Sequence, residues 1–452
     1  MSYPAYPEYK DSGVEWLGEV PAHWDVFSIK RDLEFLTSGS RGWASHYSDD
    51  GAAFIRIGNL TRNHIYLDMT DLQRVNVPDG SEGERTKVQE GDVLFSITAY
   101  LGSVAVVPSV IETAYVSQHV ALARLFKKRI LPSWVAYVTL SDVGKNYLSS
   151  QGYGGTKIQL SLEDVADLLI TVPPLDEQAK ISTFLGHETA RIDALVEQQQ
   201  RLIKLLKEKR QAVIFHAVTK GLDPDAPMKD SGVEWLGEVP EHWVVTRAKM
   251  ISDIFIPQRN KPELNDSGDG CFWVTMEEMK FEKITGAQRC VSATEITKAG
   301  SRVLKAGAVV ASCVGNFGIA SLLLVDAVIN QQLQAYIPRG ISAAYLRDVI
   351  ICSKPYFDLV GKSATLVYVN QEGFANLPVP LPSKDEQREI ETYITKRKIN
   401  FDIAISRAFK LTSLLQERRS ALISAAVTGK IDVRGWQPPL ELSESRETAD
   451  EV

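Results

Sequence analysis

Arginine, asparagine and glutamine can each contact a base edge through two hydrogen bonds, while lysine, serine, threonine and backbone amides commonly hold phosphates. In this chain such residues gather in glycine-bearing loops. The first half has Ser38-Gly39-Ser40-Arg41-Gly42-Trp43, Arg56-Ile57-Gly58-Asn59-Leu60-Thr61-Arg62-Asn63, Ser117-Gln118-His119 and Tyr153-Gly154-Gly155-Thr156-Lys157. The second half has Gln258-Arg259-Asn260-Lys261, Asn316, Asn330-Gln331-Gln332 and Lys362-Ser363-Ala364-Thr365. The candidate contacts are therefore Ser40, Arg41, Arg56, Asn59, Arg62, Gln118, His119, Thr156 and Lys157, with Gln258, Arg259, Asn260, Lys261, Asn316, Gln331, Gln332 and Lys362. One loop of this kind is what solvent exposure alone produces. Their recurrence at matched places in both halves is what points to a binding face.

Catalytic motifs do not emerge. Gly361-Lys362-Ser363 resembles the end of a phosphate-binding loop, but the glycine required five residues before Gly361 is replaced by Tyr356. No HExxH, GxSxG or post-strand GxGxxG occurs, and the seven histidines are scattered. Val172-Pro173-Pro174-Leu175 has neither the amide nor the aromatic that an amino-methyltransferase loop uses on its target base, and reads as a helix start. The four cysteines, Cys271, Cys290, Cys313 and Cys352, have no CxxC spacing, so neither a zinc site nor a disulfide framework is indicated and no metal ligand is assigned.

With 452 residues, 44% hydrophobic and 24% charged, the chain can build about three ordinary globular domains. The opening MSYPAYPEYK has no apolar signal region, and no apolar run approaches the roughly 18 residues of a membrane span. A cytoplasmic protein is expected. The net charge of −7 speaks against a broad basic surface but leaves room for a local basic cleft.

The loops sit in a duplicated frame. Lys10 to Val26 (KDSGVEWLGEVPAHWDV) matches Lys229 to Val245 (KDSGVEWLGEVPEHWVV) at an offset of 219, and Thr156 to Asp223 matches Thr365 to Asp432 at an offset of 209. Between these layers Gly91, Ser96 and Gly102 align with Gly307, Ser312 and Gly318 at an offset of 216. The frame is repeated and its contents have diverged. Each copy mixes short β-rich runs with glycine and asparagine turns, then passes through a proline-bounded stop into a long stretch rich in Leu, Glu, Gln and Lys. Asp176 to Val218 contains no proline, predicting a helix of about 40 residues and about 60 Å.

Heptad spacing gives each helix an apolar seam. On the first it runs through Ile181, Leu185, Ile192, Leu195, Leu202, Leu206 and Val213, interrupted by Glu188, Gln199 and Lys209. On the second it runs through Ile390, Ile394, Phe401, Ala404, Ala408, Leu411, Leu415 and Leu422, interrupted by Arg397 and Arg418. Two matched seams predict that the helices pair. Short connections from the first helix end through the second globular domain to the second helix start favour an antiparallel pair. The repeated peptide then seats a domain on a helix end: the second copy leaves the first helix directly, and the first copy should lie near Thr428. Trp16, Trp24, Trp235 and Trp243 are its expected packing anchors.

The paired peptides, Gly39-Ser40-Arg41-Gly42-Trp43, Phe54-Ile55-Arg56-Ile57-Gly58-Asn59-Leu60, the two Asp-Glu-Gln helix openings and the two Ala-Val-Thr endings resemble the specificity subunit of type I restriction-modification systems, over Lys10 to Asp432. The resemblance implies an α+β chain with two mixed α/β target-recognition domains joined by two long antiparallel helices. Its expected divisions are a first recognition domain over 1–172, a spacer helix over 173–220, a second domain over 221–380, a second spacer helix over 381–432 and a disordered tail over 433–452. It further implies a non-catalytic, sequence-specific subunit that reads a two-part asymmetric site in double-stranded DNA, with unread base pairs between the halves. Two methyltransferase subunits using S-adenosylmethionine to methylate adenine, and motor-nuclease subunits using ATP and magnesium, would be its partners; no cofactor is expected in this chain. A helix of about 60 Å limits the gap to about 17 base pairs. Against this stand a helix-paired scaffold that binds protein or glycan, which the acidity favours, and a stand-alone enzyme, which the missing motifs disfavour.

Overall fold

The two long Leu- and Glu-rich stretches form the dominant elements of the computed structural model: α1, Leu175–Lys220, 46 residues, and α2, Lys384–Val427, 44 residues. Each begins just after a proline, Pro174 or Pro382, and carries acidic residues in its first turn, where the helix dipole favours them. Each stops before a glycine in left-handed conformation, Gly221 (φ 76°) or Gly429 (φ 72°). The structure describes residues 3–78, 81–109, 111–154, 158–266, 268–361 and 367–438. Among them no helix is long and apolar enough to cross a membrane.

The chain divides into two units, Met1–Gln199 with Lys410–Val452, and Gln200–Phe409. In unit one, strands β1 (Leu33–Ser38), β2 (Ala52–Ile55), β3 (Val93–Ser96), β4 (Val104–Val106), β5 (Ala114–Val116) and β6 (Val120–Leu125) build two sheets. One is antiparallel in the order β1-β6-β3-β4; in the other, β5 pairs parallel with β2, and Gln73–Val75 and Tyr47–Ser48 follow. In unit two a five-stranded sheet runs β7 (Ser252–Phe255), β10 (Leu333–Pro338), β8 (Val309–Ser312), β9 (Ala320–Leu323) and Lys283–Ile284. A three-stranded sheet of Cys290–Val291, Cys271–Val274 and Ala327–Ile329 completes it. The offset of 216 places β3 on β8, with Gly102 (φ 83°) and Gly318 (φ 76°) marking the same left-handed turn. The expected α+β architecture with two long helices is the one observed.

The repeated peptide joins each domain to both helices of its unit. After it, Asp25–Ser28 pairs with Leu169–Val172, the strand feeding α1, and Val244–Arg247 pairs with Pro378–Leu381, the strand feeding α2. The His-Trp dipeptide then grips the glutamate of each Asp-Glu-Gln opening. His23 Nε2 lies 2.8 Å and Trp24 Nε1 3.2 Å from the Glu177 carboxylate, which also accepts from the Tyr6 hydroxyl at 2.6 Å. His242 Nε2 and Trp243 Nε1 repeat the grip on Glu386 at 2.7 and 3.1 Å. Burial, with Glu177 beside it, holds the Tyr6 hydroxyl protonated far above the ordinary tyrosine range, so it remains a donor. The glutamine of each opening pins a loop: Gln178 accepts from Leu131 N–H at 2.9 Å, and Gln387 accepts from Ser342 N–H at 2.9 Å.

The other helix end closes each joint. In unit one the Tyr9 hydroxyl donates to Gly429 O at 2.9 Å, and a Cβ at Gly429 would fall 2.2 Å from Pro21 Cδ. The first peptide thus sits beside Thr428, as expected. In unit two Tyr345 donates to Val218 O at 3.1 Å and to Pro380 O at 3.0 Å, bringing the end of α1 to the start of α2. Within each unit the two helices therefore run antiparallel. Trp24 and Trp243 are buried, but Trp16 is 47% exposed over Tyr147 and Trp235 is half-buried. The second tryptophan of each peptide is a buried core anchor, and Trp235 packs against the edge of the same core in unit two.

The seams depart from the expected phase. Ile181, Leu185, Ile192, Ile390 and Ile394 are buried, and Leu206, Val213, Phe401, Ala404, Leu415 and Leu422 are half-buried, but Leu195, Leu202 and Leu411 lie exposed. Their places are taken by the next residues, Val196, Ile203 and Thr412. Adjacent apolar pairs such as Leu195-Val196 and Leu202-Ile203 satisfy heptad counting in either phase, so spacing could not choose. The charges in the seam move likewise to Arg210, Lys398 and Arg419, while Lys209, Arg397 and Arg418 face solvent. Each inward cation is paired, which offsets its desolvation. In unit one Arg419 Nε of α2 donates to Asp193 Oδ1 of α1 at 2.8 Å. In unit two Lys398 lies 3.0 Å from both Asp348 and Glu282, and Arg210 lies 3.3 Å from Glu282. Burial pushes the Glu282 carboxyl up, but Lys398 and Arg347 outweigh it and hold the group below its usual value. Beyond α2 the chain stays packed: Val433 is buried and Trp436 sits 5.3 Å from Phe184, so order continues into the stretch expected as a tail. The rest of that stretch, 439–452, lies outside the described residues.

Candidate nucleic-acid interface

In unit one the turn Ser117-Gln118-His119, which leads into β6, divides two clefts. The first, about 410 Å³, is lined by Arg41, Thr98, Gln118, His119, Tyr153 and Gln159 among others. The second, about 300 Å³, is lined by Ser40, Trp43, Tyr47, Arg56, Ser117 and again Gln118 and His119. Local sequence fixes this arrangement. Ser40 N–H donates to Val116 O and Gln118 N–H to Ser40 O, both at 3.0 Å. That approach demands Gly39, where a Cβ would fall 2.1 Å from Ser117 O. Ser40, Arg41, Arg56, Gln118 and His119 thus come together on one face.

Their roles separate on inspection. Arg41 and Gln118 are exposed, and Gln118 Nε2 lies 3.1 Å from His119 Nε2. Ser40 is buried and shares a 2.8 Å hydrogen bond with Thr86, so it shapes the loop rather than offering itself. Arg56 is half-buried with Nη2 3.3 Å from Asp71, and its Nε has no partner among the described residues. Asn59 is structural: it accepts from Arg56 N–H at 2.9 Å and donates to Asp68 O at 2.8 Å and Asp71 O at 3.1 Å. Arg62, donating to Leu101 O at 2.9 Å, lines neither cleft. Thr156 and Lys157 lie outside the described residues.

Unit two distributes its candidates differently. Gln331 Nε2 donates to Gln258 O at 3.1 Å and to Arg259 O at 2.9 Å, tying two of the loops into one exposed ridge. Gln332 accepts from Asn330 at 3.2 Å beside it. Asn260 and Lys261 line a cleft of about 640 Å³ that also holds Arg289 and Lys298 but includes Glu263 and Glu295. Asn316 is exposed on the turn after β8 and lies outside that cleft, and Lys362 lies outside the described residues. Thr98 and Tyr47 are lining residues that residue-type reasoning passed over. Both are ordinary strand and turn residues until the fold places them at a cleft wall.

Known proteins share this arrangement of elements. Residues 25–205 match the family described as type I restriction modification DNA specificity domain. The putative type I restriction enzyme MjaX specificity subunit of Methanocaldococcus jannaschii is 23% identical over 92% of this chain and 96% of its own length. The type I restriction enzyme EcoKI specificity subunit of Escherichia coli K12 is 26% identical over 56% of this chain and 53% of its own. Among solved structures, a chain from a study of assembly and conformational transition in the type I R-M system superposes with a TM-score of 0.73 at 19% identity, covering 90% of this chain and 98% of that one. The HsdS subunit from Thermoanaerobacter tengcongensis gives 0.54 at 17% identity, over 91% and 98%. The resemblance carried by the repeated peptides is thus borne out: residues 25–205 match the type I restriction modification DNA specificity domain, and the curated relatives are type I specificity subunits.

Proposed function

We propose that this chain is the DNA-reading, non-catalytic subunit of a type I restriction-modification assembly in the cytoplasm. Each unit reads one half of a two-part duplex site, and the long helices set the gap between the halves. One observation carries this reading: a duplicated frame holds unlike contact sets. Unit one presents Arg41, Gln118 and His119 around its clefts, whereas unit two presents a Gln258, Arg259 and Gln331 ridge. Identical scaffolds with divergent donors are what an asymmetric site requires, since base edges are told apart by donor and acceptor pattern.

Partner subunits dock on the helices. In unit one Leu195, Leu411 and Leu414 are 38 to 50% exposed, and in unit two Leu202, Leu205, Ile399, Ile403 and Phe409 are 41 to 54% exposed. These exposed apolar side chains are the surface the helices offer to a protein partner. Two methyltransferase subunits drawing on S-adenosylmethionine, and motor-nuclease subunits drawing on ATP and magnesium, are the occupants this reading requires, the former methylating adenine. Footprinting of the assembled complex on random-sequence duplexes tests it: two protected segments at a fixed gap, weakening steeply with salt, are expected. Arg41→Ala should cost about 1 to 3 kcal/mol in one half-site only. Protection of no discrete sequence, with a flat salt response, would favour a protein-binding scaffold instead.

A further inference from the structure

The first cleft of unit one has a feature that its own duplicate lacks. Thr98 is 5% exposed, lines the cleft, and its Oγ1 has no hydrogen-bond partner among the described residues. At the offset of 216 the corresponding residue is Val314, and the backbone there is the same: Thr98 bridges Gln159, and Val314 bridges Tyr368. The fold therefore builds this turn without a hydroxyl. A buried hydroxyl that the scaffold does not use, at the wall of a cavity, is a group waiting for a partner.

Backbone strain points to the same turn. Ala99 adopts φ 60°, a left-handed conformation disfavoured for residues with a Cβ, whereas unit two has Gly315 (φ 75°) at that place. The turn is held on both sides: Ile97 N–H donates to His119 O at 3.1 Å and Leu160 N–H to Ile97 O at 2.9 Å. Tyr153, 57% exposed, bridges the same Gln159 and lines the cavity together with the exposed amide of Gln118.

A hydroxyl acceptor and donor, a carboxamide and an aromatic plane around about 410 Å³ suit a flat, polar, heterocyclic ligand. We infer, resting on the DNA-reading function proposed above, that unit one takes a single nucleobase rotated out of the duplex into this cleft. Tyr153 stacks on it, and Thr98 and Gln118 hydrogen-bond its edge. The half-site read by unit one then contains one position recognised by extrusion, and unit two, with Val314, reads its half in the intact duplex.

The test uses the full chain with its partner subunits and duplexes carrying the mapped site, with 2-aminopurine replacing one base at a time, at saturating protein. Besides the adenines that the methyltransferase subunits extrude for methylation, one further position, in one half only, should brighten several-fold, and a mismatch opposite it should tighten binding because unpairing is already accomplished. Tyr153→Ala should abolish that signal, and Thr98→Val, which the second unit shows to be compatible with the turn, should weaken binding about tenfold. Persistence of that further signal in both variants places the extruded base elsewhere and overturns the inference. So does an intact two-part footprint with no brightening beyond the methylated adenines, which leaves the DNA-reading function standing. Absence of any footprint overturns both.

Discussion

Replacing Glu177 by Ala removes the acceptor that Tyr6, His23 and Trp24 share at the start of α1. Tyr6 and Trp24, 4% and 0% exposed, lose hydrogen bonds of 2.6 and 3.2 Å, and both donors remain buried. Stranding a buried donor costs about 1 to 3 kcal/mol, so the variant should lose about 3 to 5 kcal/mol, a large share of a typical domain's stability. The exposed His23 contact adds little. Glu386→Ala strands only Trp243 Nε1 among buried donors and should cost unit two about 1 to 2 kcal/mol. Glu177→Gln keeps an acceptor oxygen and should recover more than half of the loss. Native-state hydrogen exchange resolves the units: Glu177→Ala should lower protection in Met1–Gln199 and leave Gln200–Phe409 near wild type. A loss below about 1 kcal/mol, or a Gln variant as damaged as the Ala variant, would refute the acceptor argument.

Three further outcomes follow from the same geometry. Burial alone would raise the Glu386 carboxyl, but hydrogen bonds from His242, Trp243 and Ser383 hold it down at about 2 against an ordinary 4.5. Its contribution to stability is therefore present above pH 4.5 and lost as pH falls towards 2; the stability difference between wild type and Glu386→Gln should shrink over that window in acid titrations followed by circular dichroism. Ala99→Gly should stabilise unit one by about 1 kcal/mol by relieving the left-handed Cβ, read as a rise in urea midpoint; a fall would mean that the strain is not located there. Asp348→Ala removes one of the two carboxylates that Arg347 and Lys398 share, leaving Glu282, and should cost unit two about 1 to 3 kcal/mol, whereas Asp385→Ala, which pairs with exposed Arg388, should cost less than about 1.

Much of the architecture was legible in the sequence because duplication leaves matching residues where matching backbone is required. The His-Trp pairs, the Asp-Glu-Gln openings and the Gly102 and Gly318 turns each mark a contact or a φ value that both units need. The seam phase was not legible, since Leu202 and Ile203 are equally apolar and only the packed structure exposes one at 41% and buries the other to 7%. Among the contact candidates, residue type brought Arg41, Gln118 and His119 to one face but could not tell Asn59, whose amide is consumed by backbone groups, from a base reader. Thr98 was hidden because a threonine beside a strand is unremarkable. Its signal lay in the aligned pair Thr98 and Val314, visible only when the two copies are compared position by position within their turn.

The most direct test of the account is single-molecule mapping of N6-methyladenine across a genome in cells co-expressing this chain with its methyltransferase partner. A methylated motif of two short, unlike halves separated by a fixed gap is predicted, with Arg41→Ala relaxing one half and leaving the other and the gap unchanged. A single contiguous motif, or none from a complex shown to be assembled, would contradict it.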